Sequence, residues 1–185
     1  IHPPSPRLRR IHRRLRIEEL EPRIAPAETW GWMSEVSGGL LLSEINIPGT
    51  HDTCATKWTS GLYRYDDAHK CQDRSLAEQL NAGIRYIDIR GWRDDDGTIS
   101  IHHGENEFIT MKECEFIEVL EACEQFLDVH PRECIIMAMK NEHAGSSEAQ
   151  FFNSVNDVYL GVPKHKQYFW QDENGHFPDR LPRLE

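Results

Sequence analysis

The run "CIIMAMK" at residues 134–140 limits the possible folds more than any other stretch of the chain. It is too short for an ordinary helix, and a strand this continuously apolar belongs in a sheet covered on both faces. The preceding segment, "MKECEFIEVLEACEQFLDVHP", sets Phe116, Leu120, Cys123 and Leu127 on one helical stripe and stops before Pro131. From Trp30 onward the same punctuation recurs. "SEINIPG" reads as a short strand ended by Pro48-Gly49. "SLAEQLNAGI" reads as a helix with Ser75 as N-cap, Glu78 at the reciprocal capping position and Gly83 just past its end. "IRYIDIRGW" alternates as a strand does, and "TISIHHG" follows as another after the acidic turn "RDDDG". Strands and helices mostly alternate, which predicts an α/β fold built on a parallel sheet or barrel.

Length and charge narrow this further. The 185 residues suffice for one domain with a substantial core, whereas a closed β/α barrel usually takes about 250. No apolar stretch approaches a membrane-spanning helix. The formal charge of −10 includes six Arg and no acid in residues 1–16, so the remainder carries about −16, and nucleic acid is excluded as a partner of the folded part. Residues 1–29 read as a basic flexible extension, solvated rather than lipid-bound, and residues 30–185 as the folded part. The five cysteines (54, 71, 114, 123 and 134) show no C-x-x-C pair and no metal-ligand spacing, which predicts no zinc site. Cys123 falls on the apolar helix face and reads as core. Cys54 and Cys71 flank a polar loop; a disulfide between them is an option only if the chain is exported, and free thiols are the expectation.

In folds of this kind, chemistry collects at the carboxyl ends of the strands. His51 and Asp52 follow the first strand, Asp88 and Arg90 end the second, His103 ends the third, and Lys140 and Glu142 end the fourth. Period-two alternation places Tyr86, Asp88 and Arg90 on one face, and Ile99, Ile101 and His103 on one face of theirs, with His102 opposite in a structural or solvent role. Each has a plain structural explanation: Asp52 as a helix cap, Asp88 with Arg90 as a buried ion pair, Lys140 with Glu142 as a rim salt bridge. Four successive strand ends bearing ionisable groups outweigh those explanations taken singly. Two imidazoles, an Arg and carboxylates suit phosphoryl transfer without a metal or other cofactor. One imidazole removes a proton from the attacking hydroxyl, the guanidinium neutralises phosphoryl charge, and the other imidazole protonates the leaving oxygen.

The segments "SEINIPGTHDT", "SLAEQLNAGIRYIDIRGW", "IHHG", "FLDVHPRECIIMAMKNE" and "DRLPRLE" together resemble the X domain of the bacterial-type phosphatidylinositol-specific phospholipases C, also found in fungi. The resemblance runs from about Trp30 to the last residue. It implies a distorted TIM barrel that cleaves phosphatidylinositol, or its glycan-anchor derivatives, into diacylglycerol and inositol 1,2-cyclic phosphate. On that likeness His51 is the base at the inositol 2-hydroxyl, and His103, with Asp52 as its carboxylate partner, is the acid at the diacylglycerol oxygen. Arg90 holds the phosphate where calcium-dependent relatives bind a metal, with Asp88 beside it, and Lys140 and Glu142 line the inositol pocket. The implied partner is an inositol phospholipid at a membrane surface, and the implied location extracellular or peripheral to a membrane. Family members normally continue beyond "LPRLE" with further βα units that include the carboxylate orienting the base. The chain therefore reads as the N-terminal half of a barrel, expected by itself to self-associate through an open sheet edge and to turn over little lipid. The alternative from another class is a catalytically silent module that binds headgroups or a partner; a calcium-dependent phosphodiesterase is disfavoured by Arg90.

Overall fold

A computed structural model describes residues 29–57, 70–103 and 111–170. Residues 1–28 of the basic extension (1–29), most of the loop between Cys54 and Cys71, and "DRLPRLE" lie outside the described residues. Five strands form one sheet: β1 (Gly49–Thr50), β2 (Tyr86–Arg93), β3 (Ile99–His103), β4 (Met111–Glu115) and β5 (Ile136–Asn141). β2 is its spine. β5 runs parallel to β2 along one edge, from Tyr86↔Ile136 to Gly91↔Asn141. On the other edge β1 pairs in parallel with Tyr86 and Ile87, and β3 takes over antiparallel at Gly91–Arg93, with β4 antiparallel beyond it. The sheet is part of a distorted β/α barrel.

Helix α1 (Leu76–Asn81) starts as its sequence dictates, with Ser75 Oγ accepting from Glu78 N and Glu78 Oε2 accepting from Ser75 N, and Gly83 at φ +99° turns the chain out of it. Helix α2 (Phe116–Val129) packs the expected stripe inward. Helix α3 (Glu148–Ser154) continues into a π-helical turn (Val155–Leu160), and α4 (Pro163–Lys166) follows. One core joins them: Ile87, Ile89, Ile99 and Ile101 from the sheet meet Leu80, Phe116, Leu120 and Cys123 from α1 and α2, and Phe151 and Tyr159 beyond α3. Cys123 is core, as its helical position implies, and burial pushes its thiol up to about 12.

Four expectations need correction. "SEINIPG" is not a strand that Pro48-Gly49 ends; pairing begins there, because Pro48 offers its carbonyl to Arg85 N and Tyr86 N, and Gly49 approaches Tyr86 so closely that a Cβ would lie 2.9 Å from that residue's Cβ. The helix expected from Met111 starts only at Phe116, since Met111–Glu115 is claimed by the β3–β4 hairpin. Hairpin pairing also makes β3 antiparallel to β2, so the sheet is mixed rather than parallel. Among the described residues β5 is not covered on both faces: its residues are half-buried, with Lys140 exposed, and it pairs with β2 alone.

At the base of β2 lies a polar cluster that the sequence reading missed. Arg85 is fully buried, with Nε and Nη2 each 2.8 Å from Glu133 Oε2. Its Nη1 donates to Leu80 O and Ile84 O, Nη2 also reaches Trp30 O, and the guanidinium lies 4.4 Å from the centre of the Phe126 ring. Glu133 Oε1 in turn accepts from Ser34 N at 3.0 Å. Burial draws the Arg85 guanidinium below its usual range, against the opposing pull of Glu133.

Gly91 gives the first prediction. A Cβ there would lie 2.6 Å from Phe151 Cζ, and Phe151 has no exposed surface into which to move. Gly91→Ala should cost about 1–3 kcal/mol by overpacking, read as a lower urea midpoint at unchanged slope.

Candidate active site

The site is assembled on the exposed face of β2 by the turn that follows β1. Asp52 adopts φ +44°, a left-handed conformation that a short polar side chain tolerates and that turns the carboxyl inward, leaving it 3% exposed. The turn is pinned from below. Thr53 N donates to Asp88 O at 3.0 Å, Asp88 N donates to Thr53 Oγ1 at 2.8 Å, and Asp52 N donates to Asp88 Oδ2 at 3.1 Å. Buried Gln79 of α1 donates to Thr53 O and Arg74 O and accepts from Thr50 Oγ1. Helix α1 thus fixes the peptide that carries His51 and Asp52.

All seven residues singled out in the sequence meet here. His51 places Nε2 3.0 Å from Asp52 Oδ2 and Nδ1 3.2 Å from Asp88 Oδ2, with its side chain 65% exposed. Arg90 Nε lies 2.5 Å from Asp52 Oδ1, Nη2 lies 3.1 Å from Asp88 Oδ2, and Nη1 lies 2.9 Å from Glu142 Oε1. Lys140 Nζ reaches the same Glu142 oxygen at 3.0 Å from the solvent side. His103 Nε2 stands 3.2 Å from Asp52 Oδ2. It gets there by a route the sequence reading did not foresee. Because β3 is antiparallel, the register that pairs Gly91 with Ile101 carries His103 back along β2 toward the turn after β1. A bulge at Glu113 in β4 interrupts the pairing opposite His102.

The electrostatics follow from this packing. Burial pushes the Asp52 carboxyl above its usual range despite His103, Arg90 and His51 around it. For Asp88 burial acts the same way but is outweighed by the bond from Asp52 N and the ion pair with Arg90, which hold it below the ordinary carboxylate range. Arg90 is held above its ordinary value by Asp88, Asp52 and Glu142, against its own desolvation. The result is a guanidinium clamped by three carboxylates with two imidazoles at its border. His102 stands apart, its Nε2 3.0 Å from Ser100 Oγ and its ring 5.0 Å from that of Trp92, which also stacks on His143 at 4.0 Å.

Sequence reasoning missed Thr50, Thr53 and Gln79, whose residue types carry no signal by themselves. It also missed Cys71 as a neighbour of the site. No bridge joins Cys54 to Cys71, and both thiols are free. Cys54 turns into the sheet, where a hydrogen bond with Cys114 and burial push its thiol up. Cys71 faces the site, with Sγ 3.9 Å from Asp52 Oδ2 and 4.0 Å from His103 Nε2.

Comparison with known proteins agrees with this picture. Residues 45–181 match the model of the family described as phosphatidylinositol-specific phospholipase C, X domain. A 1-phosphatidylinositol phosphodiesterase of Staphylococcus aureus (strain Newman) is 31% identical over 150 residues, covering 77% of this chain and 45% of that protein. One of the same name from Listeria monocytogenes is 31% identical over 154 residues, covering 83% of this chain and 44% of the relative. The solved phosphatidylinositol-specific phospholipase C from Listeria monocytogenes superposes with a TM-score of 0.68 at 30% identity, over 85% of this chain and 53% of that one. The chain thus spans about half the length of the relatives it matches. A match that runs through the β1 turn, the β2 spine and the β5 end, on a fold shared with solved members, means that this chain belongs to the phosphatidylinositol-specific phospholipase C X-domain family.

Proposed function

We propose that the protein is a metal-independent phosphodiesterase that cleaves phosphatidylinositol, or a related inositol phospholipid, to diacylglycerol and inositol 1,2-cyclic phosphate. The observation that carries this reading is the geometry around Asp52: two imidazole nitrogens, from His51 and His103, flank one carboxylate oxygen while Arg90 takes the other. The lipid phosphate seats on the Arg90 guanidinium, whose orientation Asp88 and Glu142 fix in advance. His51 takes the proton of the inositol 2-hydroxyl as its oxygen attacks phosphorus. The P–O bond to diacylglycerol breaks, and His103 supplies the proton that the leaving oxygen needs. Asp52 stabilises positive charge on whichever imidazole holds the proton. Lys140 and Glu142 face the inositol ring. The lipid is met at a bilayer surface, and no helix among the described residues is long and apolar enough to cross a membrane. The names of the relatives support this substrate class.

Metal dependence tests the reading. The full-length protein should keep its turnover of phosphatidylinositol in EDTA. Arg90→Lys should lose about a hundredfold, the scale of removing one preorganised donor from a developing charge, because an ammonium cannot reproduce the planar fork. Inhibition by EDTA that calcium reverses would contradict the proposal.

A further inference from the structure

Spacing along the sequence shows no metal-ligand motif, yet three separate stretches deliver one. His51, Asp52 and Cys71 present an imidazole nitrogen, a carboxylate oxygen and a sulfur within 4.8 Å of one another. His103 joins them, its Nε2 3.2 Å from Asp52 Oδ2 and 4.0 Å from Cys71 Sγ. Three donors therefore converge on a single oxygen, Asp52 Oδ2, which is nearly inaccessible to bulk water. Tetrahedral zinc, with bonds of about 2.0–2.3 Å, sets its ligand atoms roughly 3.3–3.8 Å apart. From Asp52 Oδ2 the separations are 3.0 Å to His51 Nε2, 3.2 Å to His103 Nε2 and 3.9 Å to Cys71 Sγ, with 4.0 Å between Cys71 Sγ and His103 Nε2, while the donor atoms of His51, Asp52 and Cys71 spread over up to 4.8 Å, so side chains must close in by about 1 Å to reach that geometry.

The donor set also selects the ion. A calcium ion asks for about six to eight oxygens, which this cluster lacks. One thiol, two imidazoles and one carboxylate oxygen suit a soft or borderline cation. Arg90 would repel any cation placed on its own side, but its Nε pairs with Oδ1, the other oxygen of the Asp52 carboxylate, and Asp88 and Glu142 compensate the guanidinium.

We propose that Cys71, His103, His51 and Asp52 form a binding site for one soft divalent cation, with Zn2+ as the type, and that the bound ion blocks the active site. On binding, the Sγ–H bond of Cys71 breaks and its proton leaves to water as the Sγ–metal bond forms; the aqua ion sheds waters and no electron is transferred. The imidazole lone pairs that would move protons in the reaction are then held by the metal. The binding half of the proposal stands on geometry alone, and the blocking half rests on the proposed reaction.

The test is a titration of reduced, chelator-treated full-length protein with Co2+, followed by its thiolate-to-cobalt charge-transfer absorption, with Zn2+ as competitor. One equivalent should saturate the band and one equivalent of Zn2+ should abolish it. Cys71→Ser should remove the band and weaken binding by at least about tenfold, and the turnover that the variant shows should resist zinc. Absence of saturable binding, or a band that survives Cys71→Ser, would overturn the site. An ion held through Cys71 that leaves turnover unchanged would overturn the blocking role. Should the protein show no turnover under any condition, the proposed reaction fails while the cobalt band still decides the site.

Discussion

Replacing His51 or His103 with Ala is expected to lower phosphatidylinositol turnover in the full-length protein by more than about a hundredfold, the usual scale for loss of a general acid or base. The fold should scarcely notice the change at His51, whose side chain is 65% exposed. His103 is more enclosed, at 16%, but its loss leaves Asp52 still paired with Arg90 and His51. Buried Asp52 is therefore not stranded as an uncompensated charge in either variant. The double variant should be little worse than the worse single one, because the two groups serve one proton transfer path. A single variant retaining most of its activity at an unchanged thermal midpoint would remove that histidine from the mechanism.

The largest effect on stability is expected far from the chemistry. Arg85→Ala or Glu133→Ala should each cost about 3–5 kcal/mol, since either leaves the partner charged and buried. The loss exceeds that of an ordinary ion pair because Arg85 also satisfies the carbonyls of Leu80, Ile84 and Trp30, and Glu133 satisfies Ser34 N. The cluster joins the end of α1, the segment before β1 and the approach to β5 at the point where β2 begins. Losses in the double variant should fall well below the sum of the two, as coupled neighbours require. Urea denaturation of the three variants reads this directly, and a single-variant cost under about 1 kcal/mol would show the pair to be dispensable.

The particular residues show what a sequence can and cannot disclose. Helix α1 was legible because its stop and start signals are local: Ser75, Glu78 and Gly83 do in the fold what their types imply. Alternation in β2 marked Asp88 and Arg90 as neighbours, and the fold brings the seven candidate residues together, but His51 and Asp52 come from a turn where pairing begins and His103 from an antiparallel strand, neither of which strand-end punctuation recorded. The β3–β4 hairpin was not legible. "MKECEF" carries helical periodicity into α2, and the pairing partner that claims Met111–Glu115 is a strand whose direction nothing local records. Arg85 was passed over because its charge reads as surface, and only the distant Glu133 makes burial tolerable. Cys71 was missed for a similar reason: its neighbours Asp52 and His103 lie 19 and 32 residues away.

In the proposed reaction the Asp52-centred pair of imidazoles, with Arg90, transfers the phosphoryl group of a lipid to its own inositol ring. Its most direct test is to incubate the full-length protein with phosphatidylinositol vesicles in EDTA and identify the soluble phosphate product by phosphorus NMR. Inositol 1,2-cyclic phosphate should appear together with diacylglycerol, and neither should form with His51→Ala. Vesicle binding without release of either product, or equal release by His51→Ala, would contradict the account.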